Sequence, residues 1–279
     1  MMKLEKLTPQ KAYKNRPKKW IYNLLLFAIF VGIVIYSIVS SELGSSRAIN
    51  WERLQNLGKG FINPNVEFLL GIGPNYSGKN FVYSVPYLTL QTIAIAFVGT
   101  MIAAILAIPF GFITARNVVG NKISKIGEVL LIIIRTFPEI LLALILIRVS
   151  GIGALTGTIV IGIHSVGMIG KLYAESIENM ESGPLEALDA VGASTSVKIR
   201  HGIFPQVLPD FLSTILYRFD INVRTASVLG IVSAGGIGAP LIFASTNYHW
   251  SDLASIMYAI IIMVTAVDLI SSYLRKKLI

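Results

Sequence analysis

Six stretches of this chain, at residues 21–40, 83–115, 128–147, 152–176, 207–232 and 253–273, are apolar over about 20 residues or more. A helix of that length crosses the hydrocarbon core of a bilayer, and in that core only structures that satisfy their own backbone survive. A soluble fold is excluded: 54% of the 279 residues are hydrophobic and only 14% are charged, well below the charge content of about 25% in soluble domains. The pattern predicts an all-α, polytopic membrane protein with six transmembrane helices. Pro109 is expected to interrupt the second, and the fourth carries Gly153, Gly157, Gly162, Gly167 and Gly170, which let helices approach closely.

The net charge of +9 would suggest nucleic acid in a soluble chain, but here its placement matters more. Residues 1–19 hold seven basic residues against one acid, Glu5, and Trp20 and the first apolar run follow at once. That run is longer than a signal-peptide core and lacks a clean small-x-small cleavage site, so it reads as an uncleaved span. With residues 1–19 inside, sixteen of the 24 Lys and Arg residues fall on the inner side and five on the outer, as the positive-inside rule requires. Residues 41–82 become an extracytoplasmic loop and 83–277 a core of five further spans. Both termini and residues 177–206 lie in the cytoplasm.

That last segment is a polar interruption with its own helix signals. Pro184 after Gly183 suits a first helical position, where its missing N–H is no loss. Glu186 sits in the first turn, at the positive end of the helix dipole. Leu185 and Leu188, with Ala187 and Val191, give one apolar face, and Gly192 ends the helix. About two turns cannot stand alone, so the helix must press against something. Glu186-Ala187-Leu188, Gly192 and Pro205 at their spacing resemble the cytoplasmic "EAA" loop of ABC-importer permeases, with Leu188 in place of alanine, Gly202 in place of a branched aliphatic residue and Phe204 in place of leucine. The resemblance implies that Glu186, Ala187, Gly192 and Pro205 belong to the loop that couples to an ATPase.

Three arginines, Arg135, Arg218 and Arg224, lie inside apolar spans, where each costs about 2.5–3.5 kcal/mol at a helix centre. Arg135 with Glu139, and Asp220 with Arg224, stand four residues apart and can pair on one helix face. Such pairs either hold helices together or, with Tyr217 and Asn222, line a path of shallow attraction for an anion, which a conduit must also release. The run Tyr217-Arg218-Phe219-Asp220-Ile221-Asn222-Val223-Arg224, followed by Gly235-Gly236-Ile237-Gly238, resembles the signature of phosphonate-import permeases, with Asp220 where glutamate is usual and Ser233 where glycine is usual. The likeness extends over about 83–277. It implies the type I ABC-importer permease fold in a bacterial cytoplasmic membrane, a second permease copy or paralogue, a cytoplasmic ABC ATPase dimer and an extracytoplasmic substrate-binding protein. It implies a small phosphorus oxyanion as the solute: phosphonate, phosphite, phosphate or a phosphate ester.

Other features carry less. Gly73-Pro-Asn-Tyr-Ser-Gly78-Lys79-Asn80 satisfies most of the Walker A spacing, but Asn80 replaces the magnesium-binding hydroxyl and no strand precedes it, so no ATP chemistry and no cofactor are expected in this chain. His164, His201 and His249 are isolated and give no metal spacing, and His164 reads as a satisfied core residue. Gly235, Gly236 and Gly238 read as a tight turn or close helix approach rather than a phosphate cradle. An ABC permease for another small solute such as an amino acid is the first alternative. An ion-coupled carrier would show unpaired intramembrane carboxylates and an internal repeat, and neither stands out.

Overall fold

The computed structural model describes residues 19–40, 50–76 and 78–278. The remaining residues, including all but one of the basic N-terminal segment 1–19 and Arg47, lie outside that description. Among the described residues there is no strand, and nearly all are helical. The chain divides into two units, 1–52 and 53–279. In the first, helix α1 (Lys19–Ser40) is 22 residues of mean hydropathy 2.4 with no buried position, as expected of a helix whose solvent is lipid.

The second unit is built around two long helices, α4 (Val85–Thr114) and α7 (Ala154–Glu178). Glycines set their approach. A Cβ on Gly99 would meet Ile161 at 2.8 Å, and one on Gly111 would meet the Cβ of Tyr173 at the same distance. Tyr173 in turn stacks on Phe211, ring centres 3.7 Å apart, so the densest packing reaches α9 (Phe204–Leu229). On the glycine-rich fourth span itself, a Cβ on Gly167 would meet Arg135 at 2.9 Å and one on Gly170 would meet Leu131 at 2.9 Å, the close helix approach its composition predicts.

Two prolines act oppositely. Pro109 lies inside α4 and does not interrupt it, contrary to the sequence expectation. Pro138 breaks the third span into α5 (Arg116–Thr136) and α6 (Glu139–Ser150), bent by 79°. A residue before proline is driven out of the helical region, and here Phe137 and Pro138 are both extended, at ψ 123° and 128°. The single helix expected over 128–147 is therefore two. Four helices, α1, α4, α7 and α11 (Trp250–Leu278), are long and apolar enough to cross a membrane unaided, and the bent pair makes a fifth. The stretch expected as a span over 207–232 forms the 26-residue α9, but with Asp210, Arg218, Asp220 and Arg224 along it this helix is not among those apolar enough to cross unaided.

The described part of the stretch 41–82 is not an open loop. It contains α2 (Trp51–Ile62), α3 (Val66–Leu70) and two 3-10 turns. Asn65 fastens it: its side chain caps α3 by accepting from Phe68 N–H at 3.1 Å and donates to Asp252 at 2.7 Å, while its carbonyl accepts from Ser255 at 2.9 Å. Gly60 lies so close to Trp250 that a Cβ there would sit 2.6 Å away. The Walker-like run forms those 3-10 turns, without a strand and without a following phosphate-binding helix. Beyond α9, a turn with positive φ at Ser233, Gly235 and Gly236 leads into α10 (Gly238–Thr246).

Candidate coupling and translocation sites

The hairpin of residues 177–206 forms as its residues dictate. Helix α8 (Gly183–Ala190) starts at Pro184 and ends where Gly192 turns left-handed at φ 69°, with Ala193 N–H reaching back to Leu188 C=O at 2.9 Å. Glu186 is exposed and accepts from the Ser182 hydroxyl at 2.7 Å; Ala187 and Pro205 are exposed too. Asp189 pairs with Lys198 across the hairpin. Leu185 and Leu188 close over Gly202, where a Cβ would lie 2.9 Å from one and 3.0 Å from the other. Two of the three departures from the loop pattern thus meet as one exchange of volume: a larger residue at 188 stands over the glycine at 202. Leu185 and Ile199 also rest against the core through Ile177, Ile203 and Val207. The hairpin is mounted on the inner ends of α7 and α9 and leaves its acidic tip free.

A second site assembles from four helices. The break at Pro138 places Glu139 in the first turn of α6, where its Oε1 lies 2.6 Å from His164 Nδ1 on α7 and 3.3 Å from Arg218 Nη2 on α9. An ionised carboxylate only accepts, so Nδ1 is the donor to it, and the same nitrogen lies 3.2 Å from Arg218 Nη2. Arg218 Nε donates to Ser165 at 3.1 Å, and Asn222 donates to Ser165 at 3.0 Å and to Thr100 on α4 at 2.8 Å. The Arg218 side chain is 6% exposed, that of His164 15% and that of Glu139 24%, so the cluster is closed at the arginine and opens at the glutamate. A buried charge needs this degree of satisfaction.

The predicted pairing of Arg135 with Glu139 does not form: the helix break separates them, and among the described residues no ion pair joins them. Arg135 instead packs beside Gly167 and faces a small inner pocket shared with Glu128 and Lys171. Asp220 and Arg224 do pair, at 2.8 Å, with Arg224 53% exposed and Asp220 buried. Tyr217, Ile221, Arg224 and Val228 form the more accessible stripe of α9, spaced as one helix face. Tyr217 lies on it under the Arg275 guanidinium, 5.7 Å from the ring centre, whereas Asp220 turns inward. Sequence reasoning took His164 for a core residue and passed over Ser165 and Thr100. The available signal was a polar dipeptide in the middle of an apolar span.

The Gly-Gly-x-Gly turn is consumed by structure. Gly236 N–H donates to Gln91 at 3.1 Å and Ile237 N–H to Thr92 at 2.9 Å, so these amides are not offered to an anion. Beside it lies a mainly apolar pocket of about 550 Å³ reached by Phe68, Tyr76, Gln91 and Asp252. Burial, then the carboxylates of Asp252 and Glu67, push the Tyr76 phenol above its ordinary pKa. No group of three or more His, Asp or Glu fit to hold a metal occurs among the described residues.

A glycine-packed helical core, a hairpin between α7 and α9 and a buried charged cluster are the parts with which the family likeness has to agree. Residues 107–278 match the binding-protein-dependent transport system inner membrane component family, and the chain belongs to that family, a membrane transport component. It is 36% identical over 217 residues to the phosphite transport system permease protein PtxC of Stutzerimonas stutzeri, covering 76% of this chain and 78% of that one. It is 33% identical over 193 residues to the phosphate-import permease protein PhnE of Mycolicibacterium smegmatis, covering 69% of this chain and 36% of that longer one. Among solved structures, an inward-facing MetNI methionine ABC transporter chain superposes with a TM-score of 0.62 at 18% identity, over 72% of this chain and 99% of that one. At that identity the likeness concerns the fold, which is the type I importer permease fold.

Proposed function

We infer that this chain forms the membrane pathway for a small phosphorus oxyanion in an ATP-driven importer. The observation that carries the substrate class is the similarity to the phosphite and phosphate permeases over most of the chain. It is supported by the arginine-bearing face of α9, where Arg218 and Arg224 give a positive potential moderated by Glu139 and Asp220. A methionine permease shares the fold at 18% identity, too distant to speak for an amino-acid solute.

On this reading the protein sits in the bacterial cytoplasmic membrane with both termini inside. Two permeases, this one with a second copy or a paralogue, ride on a cytoplasmic ATPase dimer that grips the tip of α8. An extracytoplasmic binding protein delivers the solute. Glu186 is the exposed acid at the tip of a hairpin too short to be stable alone but fastened to α7 and α9, so a push on it moves both helices. Vesicles holding the permease, its ATPase and its binding protein provide the test. Glu186→Ala should lower ATP-driven phosphite uptake about tenfold or more, a coupling loss of about 1–3 kcal/mol, with insertion and assembly intact. Uptake and binding-protein-stimulated hydrolysis at wild-type rates would remove the coupling role, and wild-type vesicles that import no phosphorus oxyanion would remove the substrate class.

A further inference from the structure

We propose that Glu139 is a built-in stand-in for the transported oxyanion: it occupies Arg218 while the pathway is empty, gives Arg218 up to the incoming solute, and retakes it to drive release, with His164 holding the carboxylate in between. This rests on the proposed function above and says how that pathway handles its cargo.

The geometry points there in three ways. First, Glu139 has two donors on a single oxygen, His164 Nδ1 at 2.6 Å and Arg218 Nη2 at 3.3 Å. The shorter contact is with the histidine. The carboxylate can therefore let go of the guanidinium without becoming an orphan, whereas an ion pair with one partner could not. Second, Arg218 is anchored independently by Nε on Ser165, itself tied to Asn222 and Thr100. Withdrawing Glu139 leaves a positioned guanidinium whose Nη2 keeps only the His164 Nδ1 contact at 3.2 Å and whose other N–H groups present the fork geometry that suits two oxygens of a tetrahedral oxyanion. Third, Glu139 is the more exposed partner, at 24% against 6%, and it follows the Phe137–Pro138 break. A change in the 79° bend there shifts α6 relative to α5 and carries the carboxylate toward or away from α9.

The exchange avoids the two failures open to a charged pathway. An unpaired arginine at membrane depth is costly when empty and a trap when filled. A carboxylate that returns to the site removes both problems, because the empty state is neutralised and the filled state faces a competing anion of the protein's own.

Purified permease–ATPase complex, without the binding protein, is titrated with phosphite by calorimetry. Glu139→Gln keeps the shape of the side chain and removes the competing charge, so it should bind phosphite about tenfold or more tightly than wild type and import it more slowly. The double variant Glu139→Gln with Arg218→Gln, which removes both charges together, should lose the added binding. Should Glu139→Gln not assemble, Glu139→Asp draws the carboxylate back by one methylene and should tighten binding in the same direction, by less. A Glu139→Gln or Glu139→Asp complex that assembles and binds phosphite no better than wild type overturns the exchange, as does a double variant that still binds as tightly as Glu139→Gln. Either result leaves the substrate class standing if wild-type vesicles import phosphite. The absence of uptake by wild type fails that class instead.

Discussion

The Glu139–Arg218 cluster and the Gly183–Pro205 hairpin both join α7 to α9, and they do it with opposite materials. The cluster is polar and made over long sequence distances: Glu139, His164, Arg218 and Thr100 meet only because four helices converge. The hairpin is short-range and mostly apolar, with Leu185 and Leu188 laid on Gly202 and one Asp189–Lys198 pair across it. In the cluster each member exists to satisfy another, so loss of one leaves a buried charge. In the hairpin each member fills space, so loss of one can be made good by a neighbour. The two regions should therefore respond differently to paired substitutions.

The largest effect is expected at Arg218. Arg218→Ala leaves Glu139 with His164 and Thr225 but without its balancing cation and should destabilise the protein by about 3–5 kcal/mol, the cost of breaking rather than deleting a buried pair. Adding Glu139→Gln removes the stranded charge and should recover a good part of that loss, read as the thermal unfolding midpoint of detergent-solubilised complex. A double variant no more stable than Arg218→Ala would mean that Ser165 and Asn222, not the charge pair, hold the cluster together.

A middling effect is expected where Leu188 meets Gly202. Gly202→Ile overpacks the hairpin against Leu185 and Leu188 and should cost about 1–3 kcal/mol. Leu188→Ala opens a gap and should cost about 1–2 kcal/mol, below the usual value for a fully buried leucine because this one is partly exposed. Together they restore the sizes found in the loop that this hairpin resembles, and the double variant should lose less than the sum by about 1 kcal/mol or more. Strict additivity would show that the two departures are unrelated.

These contrasts also mark what the sequence reveals. Gly192, Pro184 and the Asp220–Arg224 pair are local devices, readable from spacing because the partner is within four residues or the backbone itself. The pairing assigned to Arg135 and Glu139 used that same rule and failed, since Pro138 between them ends one helix and begins another. Pro109, no different in sequence, leaves α4 intact, because tertiary packing decides whether a proline bends or breaks a span. The stretch 41–82 reads as a loop because its apolar side chains form no run long enough to span and are broken by Gly, Pro and Asn; Gly60 and Asn65 hold it to α11 through partners nearly 190 residues away. His164 was visible as a polar intruder, but its partners lie on two other helices, and no spacing encodes that.

The smallest effects test whether the hairpin is as local as it looks. A Cβ added at Gly183 or at Gly192 meets nothing within 4 Å, so packing cannot distinguish them. Only Gly192 has a positive φ, 69°. Gly192→Ala should destabilise by about 1–2 kcal/mol, the left-handed penalty of an L-residue, whereas Gly183→Ala, at a helical start compatible with alanine, should stabilise by about 0.4–1 kcal/mol through the unfolded chain. Opposite shifts in the unfolding midpoint would show that backbone conformation alone shapes the tip that the ATPase meets. Equal shifts would mean that an unseen contact at the tip, and not the turn at Gly192, fixes the shape of the hairpin.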